Sequence, residues 1–159
     1  VAYVAKTEKP YQVFIAKDKH RGDESYSQYD DLNGAYTIDN YDYRDLNFTN
    51  YANVVFSLES PAIQGDVYVT GAFNYWNLNK ENKLFYDSAQ GLYTGELLLK
   101  QGWYDYQYLA KSSTTPATYF EGSHFETENF YEIFVYNRPF QPRADLLIGY
   151  IRLEMNERR

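Results

Sequence analysis

Tyrosine constrains this chain more than any other feature. Nineteen of its 159 residues are Tyr, joined by 10 Phe and 2 Trp, and in Tyr104, Tyr106 and Tyr108 they recur at every second position. A spacing of two puts side chains on one face of a strand, and Tyr suits a half-buried pleated surface because one end of its ring is polar. The expectation is β-structure.

Alternation elsewhere supports it. Ala52 to Leu58 places Val54, Phe56 and Leu58 on one face, and Asp66 to Phe73 does the same with Val67, Val69 and Gly71. Further strands are expected over Tyr11 to Ala16, Leu92 to Leu99, Trp103 to Leu109, Phe130 to Tyr136 and Asp145 to Met155, the last favoured over a helix because Gly149 sits at its centre. Asn33-Gly34 before Ala35 to Ile38 reads as a hairpin turn entering a strand, and Asp87 to Gly91 as the turn before Leu92. Lys100-Gln101-Gly102 is read as joining Leu92–Leu99 and Trp103–Leu109 into a hairpin.

Many short strands without helical periodicity between them predict an all-β, antiparallel, immunoglobulin-like sandwich. The Asp- and Asn-rich stretch from Asp39 to Asn50 favours turns, so a boundary is expected there. The expected division is an N-terminal β-segment over 1–50, a sandwich over 51–155 and a tail over 156–159. At this length roughly 68–70% of the unfolded chain's surface can be buried.

Charge and composition exclude several functions. With 15 basic and 22 acidic residues the net charge is −7 and the isoelectric point about 4.8, so the basic footprint of a nucleic-acid binder is missing. Absence of cysteine removes disulfides, cysteine zinc sites and thiol catalysis. Mean hydropathy is −0.65, with no apolar run long enough for a membrane-spanning helix, so no direct membrane insertion is expected.

Chemistry-bearing clusters are sparse. The two histidines are His20 and His124; in Glu121 to Glu128 (EGSHFETE), strand alternation would put His124, Glu126 and Glu128 on one face, near Glu121. Asp39, Asp42 and Asp45 offer oxygen ligands, but without a Gly-centred calcium loop. None of the nucleophile, zinc-protease or phosphate-loop motifs occurs. The expectation is a chain without enzymatic activity, metal or cofactor.

The informative constellation is Gly71 to Asn77 (GAFNYWN), then Gly91-Leu92-Tyr93, then Leu97 to Tyr108 (LLLKQGWYDYQY). It resembles the early-set module of glycogen- and starch-binding domains, G-x-F-N-x-W followed by G-x-[WY] and L-x-x-G-x-[YH]-x-Y, over about Val54 to Leu109. The resemblance implies a sugar platform of exposed aromatics including Trp76, with Gln107 at a position those domains give to Lys. The other reading makes Trp76 a cap on the sandwich, with Phe56 and Phe73 lining the core. Trp76, Trp103, Tyr104, Tyr106 and Tyr108 are therefore candidates for a contact surface or a glycan platform.

A second resemblance covers nearly the whole chain. Tyr29 to Tyr36 (YDDLNGAY), Asp66 to Gly71 (DVYVTG), Leu97 to Tyr108, Glu121 to Asn129 (EGSHFETEN) and Asp145 to Tyr150 (DLLIGY) are similar to the type IX secretion system plug proteins of Bacteroidota. The resemblance implies the C-terminal portion of a longer exported protein of the periplasm, associated with the outer membrane. Its role would be to plug the periplasmic end of the translocon barrel by protein contact, without catalysis. Asp87-Ser88-Ala89 also resembles the short O-glycosylation acceptor of exported proteins in that phylum.

Overall fold

The computed structural model describes residues 1–26, 31–40, 46–141 and 144–156. It is an all-β chain of two compact units, Val1–Ser123 and His124–Arg159. The first contains β1 (Tyr3–Ala5), β2 (Tyr11–Phe14), β3 (Asp18–Lys19), β4 (Tyr36–Ile38), β5 (Tyr51–Glu59), β6 (Asp66–Thr70), β7 (Lys83–Asp87), β8 (Leu92–Lys100), β9 (Gly102–Tyr104) and β10 (Gln107–Lys111). The second is a hairpin of β11 (Asn129–Asn137) and β12 (Leu146–Met155).

The first unit is the expected immunoglobulin-like sandwich. Its strands run in the order β1-β2-β5-β8-β7-β6-β10, with β3 also against β5. Strand β7 changes partner along its length: Lys83 and Leu84 pair with β6, while Phe85 to Asp87 pair with β8. One strand thus links the two layers. Between them lie Phe56, Leu58, Val67, Val69, Leu84, Tyr93, Tyr108, Ala110 and Phe120, all buried. Each such large side chain, fully removed from water, contributes about 1.5–3 kcal/mol. The alternation read in β5 and β6 is the pattern that fills this core. In β6 even the off-face residues Tyr68 and Thr70 are buried, so that strand is covered on both sides.

The N-terminal segment joins this sandwich. Residues of β2 pair in parallel with β5, from Tyr11 opposite Ala52 to Phe14 opposite Val55, and β3 resumes the parallel pairing at Asp18 opposite Leu58. The expected boundary at residue 50 therefore falls inside a compact unit. The two ends of the stretch from Asp39 to Asn50 are held by one residue: Asp39 N–H donates to the Gln101 carbonyl, and Gln101 N–H donates to the Asn50 carbonyl. Buried Asn40 donates to the Phe48 carbonyl at 3.0 Å. At the other end of the chain, β11 and β12 form a unit of their own and not the last strands of one sandwich over 51–155.

The expected hairpin of 92–99 with 103–109 is not formed either. Strand β8 pairs with β5 and β7, and the 103–109 stretch is divided at Asp105–Tyr106. Its first half is β9, against β4; its second half is β10, against β6. The physical cause is Asp105. Its Oδ2 accepts the Leu32 N–H at 2.7 Å and the Gly34 N–H at 3.0 Å, and its own N–H reaches the Ala35 carbonyl. The residue is committed to the Asn33-Gly34 turn, so the strand cannot run straight through it.

Candidate functional site

The Asn33-Gly34 turn is of the kind expected from its residues. Both have left-handed backbones, φ 52° and 76°, and Ala35 N–H closes the turn onto the Leu32 carbonyl. It leads into β4, whose partner is β9. Opposite each other in that ribbon, Tyr36 and Tyr104 stack with ring centroids 5.4 Å apart and planes within 2° of parallel. Phe73 meets Tyr104 edge-on at 5.7 Å. Trp103 lies opposite Thr37, and strand alternation turns it to the other face of the ribbon from Tyr104.

The loop after β6 carries Trp76. A single 3-10 turn over Ala72–Asn74 is followed by Tyr75 and Trp76, both left-handed at φ 55° and 59°. For bulky side chains that region is strained, so the surrounding bonds must hold it. Trp76 N–H donates to the Gly71 carbonyl, while Asn74 Oδ1 accepts from the Thr70 hydroxyl at 2.9 Å and from the Gly71 N–H at 3.1 Å. Asn82, buried, donates to the carbonyls of Val69 and Asn77 at 2.8 Å each and accepts the Asn79 N–H. These amides hold the loop that carries Trp76, and sequence reasoning missed them. Their repeated placement in FNYWNLNKEN was the available signal, since Asn is the side chain that satisfies turn backbones.

The outcome for Trp76 is exposure. It is 46% accessible and Tyr75 84%, so Trp76 does not cap the core. Its indole edge runs against Gly34, where a Cβ would approach within 3.3 Å. Trp103 is also exposed, at 56%, and Tyr36 at 44%. Of the two phenylalanines expected to line the core, Phe56 is buried within it and Phe73 is half-buried against Tyr104.

The tyrosine row is not a surface. Tyr104 is half-buried and its hydroxyl donates to the Lys100 carbonyl at 2.6 Å. Tyr106 and Tyr108 turn inward, 5.8 Å apart and edge-to-face, with Tyr106 also edge-on to Phe56. Both hydroxyls donate to the same oxygen, Asp18 Oδ2, each at 2.7 Å. Burial, reinforced by the Asp18 charge, pushes both phenols well above their usual range, so they stay protonated donors. One carboxylate on β3 thereby ties the β5 layer to β10.

Glu121 completes this joint. Its Oε1 accepts the Tyr108 N–H at 3.0 Å and its Oε2 pairs with Arg21. Burial opposes the Arg21 charge, yet the bond and attraction of Glu121 raise the guanidinium further above its ordinary value.

The single strand face expected for His124, Glu126 and Glu128 is not formed. Residues 124–128 precede β11 in a turn closed by Thr127 N–H on the His124 carbonyl, and Asn156 donates to the carbonyls of Phe125 and Thr127. Among the described residues no group of three or more His, Asp or Glu is placed to hold a metal ion. Asp42 and Asp45 lie outside the described residues, as do Tyr29 and Asp30 of the segment Tyr29 to Tyr36. Ser88 sits exposed in the turn before β8, where Asp87 accepts the N–H groups of Ala89 and Gln90. Gln107 is half-buried opposite Thr70. An open depression of about 410 Å³ is lined by Lys19, His20, Glu59, Ser60, Pro61 and Tyr86, with the His20 ring centroid 4.5 Å from that of Tyr119 and the two planes tilted by 50°.

No protein-family model matches the chain, and no curated protein matches it. Among solved structures, the chain is similar to the crystal structure of a hypothetical protein from Parabacteroides merdae ATCC 43184, at 30% identity over 97% of its own length and with a TM-score of 0.84. It spans only 40% of that longer chain.

Proposed function

We propose that this chain is part of a non-enzymatic component of type IX protein secretion, one that plugs the periplasmic end of the outer-membrane translocon channel by protein–protein contact. The observation that carries the reading is that its two most specific resemblance segments are joined in the fold at Tyr108 and Glu121. Leu97 to Tyr108 and Glu121 to Asn129 lie apart in sequence, and Tyr108 N–H donates to Glu121 Oε1 at 3.0 Å. Glu121, the first residue of the second segment, makes this joint, braced by Asp18 and Arg21. A body locked at such a joint suits a stopper, which must resist deformation while presenting side chains to a partner. The similarity to a Parabacteroides merdae protein agrees with the Bacteroidota source that the reading implies.

The test is co-purification of the tagged natural protein with the translocon barrel from solubilised envelopes. The reading expects the barrel to be recovered with it. Recovery of the barrel with its other partners, and without this protein, would overturn it.

Exposure of Tyr75 and Trp76 favours a second reading, a carbohydrate-binding module. Two consecutive aromatics held at left-handed backbone angles and open to water suit stacking on a sugar face. Titration with soluble maltooligosaccharides should then shift tryptophan fluorescence in the natural chain and not in Trp76→Ala. An unchanged spectrum removes this reading.

A further inference from the structure

The hairpin of β11 and β12 has two faces of different chemistry. Cross-strand pairs that share one face are Phe130 with Glu154, Glu132 with Arg152, and Phe134 with Tyr150. This face satisfies itself. Arg152 lies over the Phe130 ring at 4.2 Å and pairs with Glu154, the Tyr150 hydroxyl donates to Glu132 at 2.6 Å, and the Phe134 and Tyr150 rings meet at 5.1 Å. It is a face built for water.

The other face carries Tyr131, Ile133, Val135, Ile151, Leu153 and Met155, without a charge among them. All six are 41–52% accessible. A sheet face of this composition belongs in a core, about 10 Å from a second layer. The strands, of 9 and 10 residues, are also long for a two-stranded sheet, which is marginal in water by itself.

We infer that this apolar face docks against a second β-layer, aliphatic and aromatic on its inner side, supplied by the same polypeptide from outside residues 1–159. Length argues for that source. The match to the Parabacteroides merdae structure takes in 97% of this chain, which requires part of the hairpin, yet only 40% of that protein, so a relative with this segment has ample further polypeptide. Area argues against a second copy. A two-stranded face of about nine residues measures roughly 30 by 10 Å, so two copies face to face bury on the order of 600 Å². A specific interface between separate molecules needs about 1,000 Å². A tethered layer is exempt from that threshold, because the linkage holds it at an effective concentration in the millimolar range.

Hydrogen exchange followed by mass spectrometry, on residues 1–159 and on the full natural gene product, tests this. Peptides over 131–135 and 149–153 should exchange about 100-fold more slowly in the full product, independently of concentration. In that product Ile133→Asp should abolish the protection while the amides of β6 and β10 keep theirs, and Glu132→Ala, on the self-satisfied face, should retain it. Equal exchange in both chains overturns the proposal, as does a natural product no longer than 159 residues. So does protection in residues 1–159 that rises with concentration, which would make the occupant a second copy, or protection that needs another protein.

Discussion

The unit Val1–Ser123 and the hairpin of the unit His124–Arg159 are written in the same alphabet and use it oppositely. In the first, tyrosines at spacing two are drawn inside and their hydroxyls are spent on Asp18. In the second, Tyr131, Tyr136 and Tyr150 are all more than half accessible, with Ile133 and Ile151 beside them. The contrast teaches that alternation specifies a strand and its faces, whereas burial is decided by what is brought against those faces. An acceptor for a phenol and a second layer are both long-range facts.

Four perturbations should affect the two units unequally. The largest effect belongs to Phe120, 1% accessible in the core and edge-on to Tyr93 and Tyr119: Phe120→Ala should cost about 4 kcal/mol in urea unfolding of the first unit. Next is Asp18→Ala, which leaves two inward phenols without their acceptor; about 3 kcal/mol is expected by the same measurement.

The alkaline limb of stability follows. The Tyr106 and Tyr108 phenols are raised in the folded state from an ordinary value of 10.0. Above pH 10 the unfolded chain therefore binds fewer protons than the folded one, and stability falls as pH rises, by about 1.4 kcal/mol per pH unit for each phenol. Their contribution is fully present below pH 10. Denaturant midpoints measured from pH 9 to 11.5 should show the fall, and Tyr108→Phe should remove about half of the part owed to this pair. The smallest effect is expected in the hairpin. With 49% of Ile133 already accessible, Ile133→Ala in residues 1–159 should change the unfolding of the first unit by less than about 0.5 kcal/mol.

Much of the architecture was legible because it is local. The alternation in β5 and β6, the runs that became β8, β11 and β12, and the turns at Asn33-Gly34 and Asp87–Gly91 all carry their reason in neighbouring residues. What escaped is long-range. Nothing near Asp105 announces that its carboxylate will hold the N–H of Leu32, 73 residues earlier, and so divide a seven-residue strand pattern in two. Nothing near Tyr108 points to Asp18, 90 residues away. The parallel course of β2 and β3 along β5, which absorbs the expected N-terminal segment into the sandwich, is equally invisible to local periodicity. At the candidate site, Trp76 and Trp103 were singled out and are exposed; Tyr104, Tyr106 and Tyr108 were singled out and are internal wiring.

Chemical accessibility of the tyrosines tests this division most directly. Nitration of residues 1–159 at limiting reagent, with the modified residues mapped by mass spectrometry, should label Tyr75, Tyr131, Tyr136 and Tyr150 early and leave Tyr108 unmodified until the chain unfolds. Labelling of Tyr108 at the rate of Tyr75 in the folded protein would contradict the account, because it would return the tyrosine row to the surface.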